Sequence, residues 1–282
     1  MLRPARSRPR KLVPQKHQPE DRIKKIESLT SGFIYVVSSS SITGKKRKIN
    51  EDRVAVLKRP EGLLLALVAD GMGGHNAGDV ASQMTVDTLG KLFLEENSDS
   101  FVTVDQKKTW LSLNVQNVNR LGYDYSEQNP GCKGMGTTLI AALIEADDCV
   151  MCHIGDSRAY VINGSIEQLT RDHSYVNVLV DSGEISQEEA EDHPKKNWIV
   201  KALGTDPVID GEILHFSTES LSFMLICSDG LSNKITKEEL SSIILSESPL
   251  TQKGAELVKL ANDMGGEDNI SFVLLSLKDE EV

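Results

Sequence analysis

Short apolar runs bounded by Gly, Asp or Asn recur along most of the chain and predict β-strands. These runs cover residues 33–37, 54–57, 63–69, 138–144, 150–154, 159–162, 223–227 and 270–277. The dipeptide Asn163-Gly164 stands between two such runs, and this pair favours a tight hairpin turn. Because consecutive runs are joined by short turns, the pattern predicts antiparallel pairing.

Apolar residues at helical spacing appear in three other segments. One stripe follows Gly78, a second runs from Leu111 through Val115 and Val118 to Leu121, and a third ends at Gly265-Gly266. Thr236 followed by Glu239 predicts the capped start of a further short helix. Since the helices are inserted between clusters of strands, the pattern predicts an α+β fold. Its centre would be a sandwich of two antiparallel β-sheets flanked by α-helices.

Charge divides the chain into two parts. Residues 1–30 carry nine Lys or Arg against three acids, a net charge of +6, and the remaining 22 bases and 39 acids give −17. Residues 1–30 therefore read as a basic, disordered N-terminal extension, and residues 31–282 as the globular domain. The net negative charge of this domain argues against nucleic acid as its partner. The extension could contact an acidic partner, RNA or a membrane surface, could act as an organelle transit peptide, or could have no specific partner.

Composition excludes several classes of protein. The 282 residues, 39% hydrophobic and 26% charged, exclude general disorder and collagen-like repetition. No apolar run approaches the ~20 residues of a membrane span, and no secretory signal is recognisable, so we expect a cytoplasmic protein. Four cysteines are too sparse for a disulfide framework. Cys149 and Cys152 would face opposite sides of a strand, which favours buried thiols over a zinc or redox pair.

Acidic residues stand at the ends of the predicted strands. Three strands run into an aspartate beside a glycine, namely Asp70, Asp156 and Asp229. Three further acids come just before strands, namely Glu51, Asp52 and Asp268. In an antiparallel sheet the start of one strand neighbours the end of the next, so all six acids could meet at one edge. Any single Asp-Gly is more typical of an ordinary turn, and only the joint placement points to a site.

Carboxylates gathered at one edge would repel each other unless a cation neutralises them. Ligands that are all oxygen select hard cations, which predicts Mg²⁺ or Mn²⁺, and a cluster of this size suggests more than one ion. Gly71 lets the backbone approach closely and could offer its carbonyl oxygen as a ligand.

Seven short strings, in this order along the chain, resemble the metal-dependent protein phosphatase family, also called protein phosphatase 2C. They are RKINED from Arg47, DGMGG from Asp70, GMGTT from Gly134, GDSR from Gly155, ALG from Ala202, SDG from Ser228 and EDN from Glu267. The resemblance spans residues 44–277 and implies a β-sandwich with two metals at one end. Met72, the chain length and a segment at about residues 169–200, which resembles a mobile flap beside the active site, look bacterial in type.

The resemblance also implies roles for single residues. Asp70 resembles the carboxylate that bridges both metals, with the Gly71 carbonyl on one of them. Asp229 and Asp268 resemble the remaining direct ligands of the other metal. Asp156 resembles the ligand of a third, weaker metal.

Further residues resemble the surroundings of the metals. Glu51 and Asp52 look like residues that hold metal-bound waters, and Asn269 like one that orients the neighbouring acid. Arg47 resembles the arginine that grips the substrate phosphate. Without the resemblance, Arg47 would read as one more solvated charge beside Lys45, Lys46 and Lys48.

The implied activity is hydrolysis of phosphoserine and phosphothreonine in proteins that a serine/threonine kinase has phosphorylated. A water that bridges the two metals would attack phosphorus directly. Met72 stands where the eukaryotic branch of the family usually has a histidine, which leaves the general acid open between a metal-bound water and His75. A catalytically silent regulator of the same fold and a small-molecule phosphatase are the alternatives. The complete set of ligands favours catalysis.

For four other residues, a structural role competes with a functional one. His153 lies within an apolar strand and reads as a satisfied core histidine rather than a ligand. Arg158 could pair with a metal-site acid or stabilise its own turn. Trp110 and Trp198 read as packing residues of the core or the flap.

Overall fold

Two antiparallel sheets lie face to face in the computed structural model, which describes residues 24–26, 36–73, 77–145 and 147–277. The first sheet contains, in spatial order, β1 (Lys24–Ile26), β2 (Val36–Ile42), β13 (Ile270–Ser276), β12 (Phe223–Cys227), β9 (Arg158–Ile162) and β10 (Ile166–Gln168). The second contains β11 (Glu212–Ser217), β8 (Asp148–Ile154), β7 (Leu139–Glu145), β4 (Leu64–Ala69) and β3 (Arg53–Lys58). A small pair, β5 (Gly71–Met72) and β6 (Gly136–Thr137), lies beside the end of β4.

Helices cover both outer faces of the sandwich. The second sheet is covered by α1 (Ala77–Glu95) and α2 (Val104–Gln128), and the first by α5 (Asp229–Ser232), α6 (Lys237–Ile244) and α7 (Leu250–Asp263). Two short helices, α3 (Tyr175–Asp181) and α4 (Gln187–Glu191), belong to the predicted flap. The result is a helix–sheet–sheet–helix arrangement, which confirms the predicted fold class.

The unbroken apolar sequence of β4 is explained by cover on both of its faces. Leu65 and Leu67 pack toward α1 and α2, whereas Leu64, Ala66 and Val68 point into the space between the sheets. Alternation along a strand sends neighbours to opposite faces, so a strand in the middle of four layers needs apolar residues at every position.

Two local signals in the sequence are confirmed. The Thr236 side chain caps the start of α6 by accepting from the Glu239 N–H, and Glu239 accepts from the Thr236 N–H in return. Gly164 has a φ of +73°, and the turn that contains it joins the antiparallel strands β9 and β10.

The structure differs from the expectation at several points. Lys24–Ile26 pair with β2, although they fall inside the segment expected to be disordered; residues 1–23 and 27–35 lie outside the described ranges. Leu121 is 51% exposed, because the buried face of α2 continues from Val118 to the polar Asn119 instead. Two short strands, β10 and β11, lacked a recognisable apolar run.

The cysteine prediction is confirmed by the strand geometry. Cys149 packs between the sheets and Cys152 packs on the helix-covered face of the same strand. Both thiols are free, and burial raises the pKa of each, that of Cys152 to about 12. A deeply buried thiol with a raised pKa has little nucleophilic or metal-binding character.

Across the described part of the chain, none of the helices combines the length and the apolar content that crossing a membrane requires.

Candidate active site

Strand register brings the predicted acids to one end of the sandwich. Arg53 on β3 is paired with Ala69 on β4, so Asp52 and Asp70 lie next to each other just beyond that pair. Cys227 on β12 is paired with Arg158 on one side and with Phe272 on the other. Asp229, two residues further along, therefore lies between the segments that carry Asp156 and Asp268.

Asp52 is the most deeply buried of these acids, with 1% of its surface exposed. Its carboxylate accepts a hydrogen bond of 2.8 Å from the Ser228 hydroxyl, which in turn accepts one of 3.1 Å from the Ser271 N–H. Burial, opposed by the Ser228 and Ser271 hydroxyls and reinforced by the nearby Asp229 charge, raises the pKa of Asp52 to about 7. Ser228 is a site residue that the sequence reasoning did not single out.

Asp70 occupies the centre of the cluster. Its backbone N–H donates to the Thr138 hydroxyl at 3.0 Å, and its carbonyl accepts from the Thr138 N–H at 2.8 Å, which fixes the chain at the end of β4. Burial and the charges of Asp52, Asp229, Asp156 and Asp268 raise the pKa of Asp70 well above its ordinary value. Side-chain hydrogen bonding with Asp70 lowers the pKa of Asp52 and of Asp229, which partly offsets the effect of burial on both.

Asp156 and Asp229 complete the interior of the cluster. Burial, followed by the charges of Asp229 and Asp172, raises the pKa of Asp156 to about 7. Burial and the charge of Asp268 raise the pKa of Asp229, which stands at the first position of α5.

These raised pKa values mean that burial, together with the charges of the neighbouring carboxylates, disfavours the ionised form of each acid. Bound cations remove that penalty, and a donor set made of carboxylate and carbonyl oxygens fits Mg²⁺ or Mn²⁺ rather than a thiophilic metal. The residues present therefore fit the predicted hard-cation centre.

Glycines allow the segments at this end to approach closely. A Cβ atom on Gly71 would collide with the carbonyl oxygens of Gly78 and Glu51, and one on Gly230 would collide with the carbonyl of Asn269. Any side chain at Gly71 or Gly230 would push apart the segments that carry the acids.

Arg47 lies at the rim of the cluster. Its Nε and Nη2 atoms each donate to a different oxygen of Asp268 at 2.9 Å, which is the forked geometry that arginine also offers to a phosphate. Asp268, with some help from the charges of Glu51 and Asp70, raises the pKa of Arg47. The Arg47 side chain is 48% exposed, so its guanidinium can be reached from solvent.

Asn269 fixes the loop that carries Glu51. Its side-chain oxygen accepts from the Glu51 N–H at 2.8 Å, and its amide group donates to the carbonyls of Thr43 and Ile49. Its own backbone N–H donates to Asp268 at 2.9 Å. Burial and the charges of Asp268 and Asp79 raise the pKa of Glu51, while Arg47 lowers it.

The flap is joined to the site by Arg158. Its guanidinium forms a fork with Asp172, with the closest contact at 2.7 Å from Nη2 to Oδ2. The partner is therefore a flap residue, which neither of the two sequence readings of Arg158 named. Within the flap, Gly183 follows α3 with a φ of +74°, a backbone conformation that favours glycine.

The two tryptophans, Trp110 in the core and Trp198 on the flap, differ in exposure. Trp110 is buried, and its Nε1 atom donates to Glu96 at 3.1 Å. Trp198 is 56% exposed on the flap, where Lys195 lies 4.2 Å from the centre of its ring.

A second group of side chains with potential metal-ligating atoms lies near the base of the flap. Donor atoms of His153, His173 and Glu212 all fall within 4.8 Å of one another. His153 is fully buried as predicted, but neither of its ring nitrogens has a hydrogen-bond partner, so it is not the satisfied core histidine that the sequence suggested.

A groove of about 970 Å³ opens beside the carboxylates and continues along the flap. Its lining includes Asp156 and Asp229 from the cluster, Asn177 and Lys196 from the flap, and Lys237 at the start of α6. The groove is much larger than a phosphate group.

Comparisons with known proteins agree with this geometry. The family model for protein phosphatase 2C matches residues 44–271. The serine/threonine phosphatase stp of Listeria welshimeri is 39% identical over 233 residues, covering 82% of this chain and 92% of the relative.

Solved structures are similar over the same region. The crystal structure of serine/threonine phosphatase Stp1 from Staphylococcus aureus aligns with a TM-score of 0.82 and 35% identity, over 92% of this chain and 100% of that one. The catalytic domain of serine threonine protein phosphatase PstP, in complex with 2 manganese ions, aligns with a TM-score of 0.74 and 31% identity, over 88% of this chain and 100% of that one. The chain therefore belongs to the protein phosphatase 2C family.

Proposed function

We propose that the chain is a Mg²⁺- or Mn²⁺-dependent phosphatase that hydrolyses phosphoserine and phosphothreonine in proteins. The observation that carries the proposal is the meeting of Asp52, Asp70, Asp156 and Asp229 at one end of the sandwich, where burial and mutual repulsion raise the pKa of each carboxyl. Such a cluster is costly to a fold unless it has a ligand to hold.

Asp70 and the Gly71 carbonyl would hold the first cation, and Asp70, Asp229 and Asp268 the second. Asp156 would hold a third, weaker one. When bound, these cations would neutralise the carboxylates, acidify an attacking water and stabilise charge on the phosphoryl oxygens.

The chain's own residues would position the substrate and the metal shell. The forked guanidinium of Arg47 would orient the phosphate for in-line attack and stabilise charge on its oxygens. Asp52 and Glu51 would accept hydrogen bonds from water in the cluster, and Asn269 keeps the Glu51 backbone in place through its 2.8 Å bond. Met72 has no proton to transfer to a leaving alkoxide.

The groove favours a protein substrate over a small phosphorylated metabolite. It extends from Asp156 and Asp229 past Asn177 to Lys237, so that residues on either side of a phosphorylated serine or threonine would have protein surface to contact. We expect the substrates to be proteins phosphorylated by a serine/threonine kinase.

The cellular setting is part of the same proposal. Four free cysteines, three of them buried, suit a reducing compartment, and we place the protein in the cytoplasm in a signalling role. The basic residues of segment 1–30 would bind an acidic partner or a membrane surface.

The direct test is hydrolysis of a phosphothreonine peptide by the purified protein with Mn²⁺, with Mg²⁺ and with EDTA. Metal-dependent release of phosphate that is lost in Asp70→Asn would support the proposal. The matched control is Asp99→Asn, which removes a carboxylate from a short surface turn and should leave the rate unchanged. Silence toward the peptide with Mn²⁺ bound by calorimetry would instead support the silent regulator, or the small-molecule phosphatase if a small phosphate ester is hydrolysed.

A further inference from the structure

His173 makes a two-point attachment to the turn that carries Asp156. Its backbone N–H donates to the Gly155 carbonyl at 2.8 Å, and the Gly155 N–H donates back to the His173 Nδ1 atom at 3.0 Å. Gly155 has a φ of +103°, and a Cβ atom there would collide with Thr138, so only glycine fits at this position, and glycine has no side chain of its own to restrict the backbone. The position of Asp156 therefore depends on what holds its neighbour Gly155.

The same histidine also closes the base of the flap. Its carbonyl accepts from the Val200 N–H at 2.9 Å, where the chain leaves the flap. The preceding residue, Asp172, accepts the fork from Arg158. The two ends of the flap and the turn of Asp156 thus converge on one side chain and its immediate backbone.

The imidazole can accept from Gly155 only while Nδ1 carries no proton. Burial, reinforced by the neighbouring His153 and Lys201, lowers the pKa of His173 to about 4 and keeps the ring neutral at physiological pH. The ring stacks on His153 with centroids 4.7 Å apart, and His153 is fully buried in β8. The stack sets the plane of the His173 ring, and the plane sets the direction of Nδ1.

A metal ion is a poorer explanation of the His153, His173 and Glu212 group. The two rings are 18° from parallel, so their in-plane lone pairs cannot both point at one ion. Because His173 Nδ1 accepts from Gly155, the proton of the neutral ring is on Nε2, the nitrogen nearest Glu212. Ligation through Nε2 would need the other tautomer and would break the bond to Gly155.

We infer that His173 is a positioning residue that joins the base of the flap to the turn of Asp156, so that one imidazole sets both the weakest metal position and the flap. The inference rests on the proposed role of Asp156 as a metal ligand. No contact between His173 and the substrate is involved.

The test compares two substitutions that are both polar and differ in reach. In His173→Asn the side-chain oxygen can occupy the place of Nδ1 and accept from Gly155, whereas in His173→Gln the amide reaches the place of Nε2 and leaves the Gly155 N–H without its acceptor. Exchange of the Gly155 amide in metal-free protein and the weakest phase of Mn²⁺ binding by calorimetry are measured for both. We expect each to change about fivefold in His173→Gln, the effect of losing one net hydrogen bond, and less than about twofold in His173→Asn.

The matched control is His193→Gln. His193 also lies in the flap, and its Nδ1 also accepts a backbone N–H, that of Lys195 at 3.1 Å, but this bond stays inside the flap. It should leave both readouts unchanged. Equal effects of the Asn and Gln substitutions at His173, or an equal effect at His193, would overturn the inference.

The outcome is separable from that of the proposed function. Neither readout requires turnover, so a protein that binds Mn²⁺ without hydrolysing the phosphopeptide would contradict the proposed function and still test His173. Conversely, suppose that the enzyme is active but His173→Gln changes neither Gly155 amide exchange nor the weakest phase of Mn²⁺ binding. That result would refute the positioning role alone.

Discussion

Replacing Asp52 by Asn should stabilise the metal-free protein, and the gain should grow with pH. Asp52 is buried, and its pKa is raised from 3.8 to about 7 because burial and the Asp229 charge disfavour its ionised form. Between these two values the folded chain holds a proton that the unfolded chain has released. The free energy of unfolding therefore falls as pH rises through this window and levels off above about pH 7.

The size of the effect follows from the width of the window. Each pH unit inside it removes about 1.4 kcal/mol for one group. Between about pH 5.5 and about pH 8.5, only the first 1.5 pH units or so, up to the pKa of about 7, lie inside the window. The free energy of unfolding of the wild type should therefore fall by about 2 kcal/mol through Asp52. An asparagine has no proton to release, and its oxygen can still accept from Ser228. For a domain of this size, about 2 kcal/mol is worth roughly 4–8 °C in Tm.

The assay is thermal and urea unfolding in EDTA at both pH values, for the wild type, Asp52→Asn and the control Glu267→Gln. Because Asp70 and Asp156 titrate in both wild type and variant, the informative quantity is the difference between the two proteins. Glu267 is solvent-exposed, and Lys234 and Lys46 lower its pKa to about 2, so its substitution should show no such pH dependence. A difference in stability between wild type and Asp52→Asn that is the same at both pH values would refute the reasoning. Added Mn²⁺ should favour the wild type, because the ligand binds the intact cluster more tightly.

Two further predictions concern the ligands and the close approach of the backbone. Asp229→Asn should abolish both activity and tight Mn²⁺ binding, whereas Asp156→Asn should slow turnover with two ions still bound; equal loss of metal in both, by calorimetry, would contradict this division. Gly230→Ala should lower both Tm and Mn²⁺ affinity, because its methyl group would collide with the Asn269 carbonyl. The control is Gly131→Ala, where a methyl group meets nothing within 4 Å; it should change neither quantity in the same unfolding and titration experiments.

The local sequence was enough to predict most of the strands and helices. A continuous apolar run and capping by a side chain are short-range properties, which is why strand β4 and the start of α6 at Thr236 were predictable. The weakly apolar β11 was not predicted, because its stability comes from pairing with β8, and its own sequence does not indicate that contact. Leu121 was placed on the buried face of α2 by spacing alone, although Asn119 takes the neighbouring buried position through its bonds to Gly204 and Asp206.

The residues of the site were also predictable from short stretches of sequence, because they occur as acids beside glycines at strand ends and within motifs that resemble one family. Only the tertiary structure decided how those acids meet. Ser228 supports Asp52 across 176 residues of chain, Arg158 pairs with Asp172 on the flap, and His173 ties that flap to Gly155. These contacts depend on which strands pair and in which register. That choice is made by burial of the whole core at once, so no single stretch of sequence contains it.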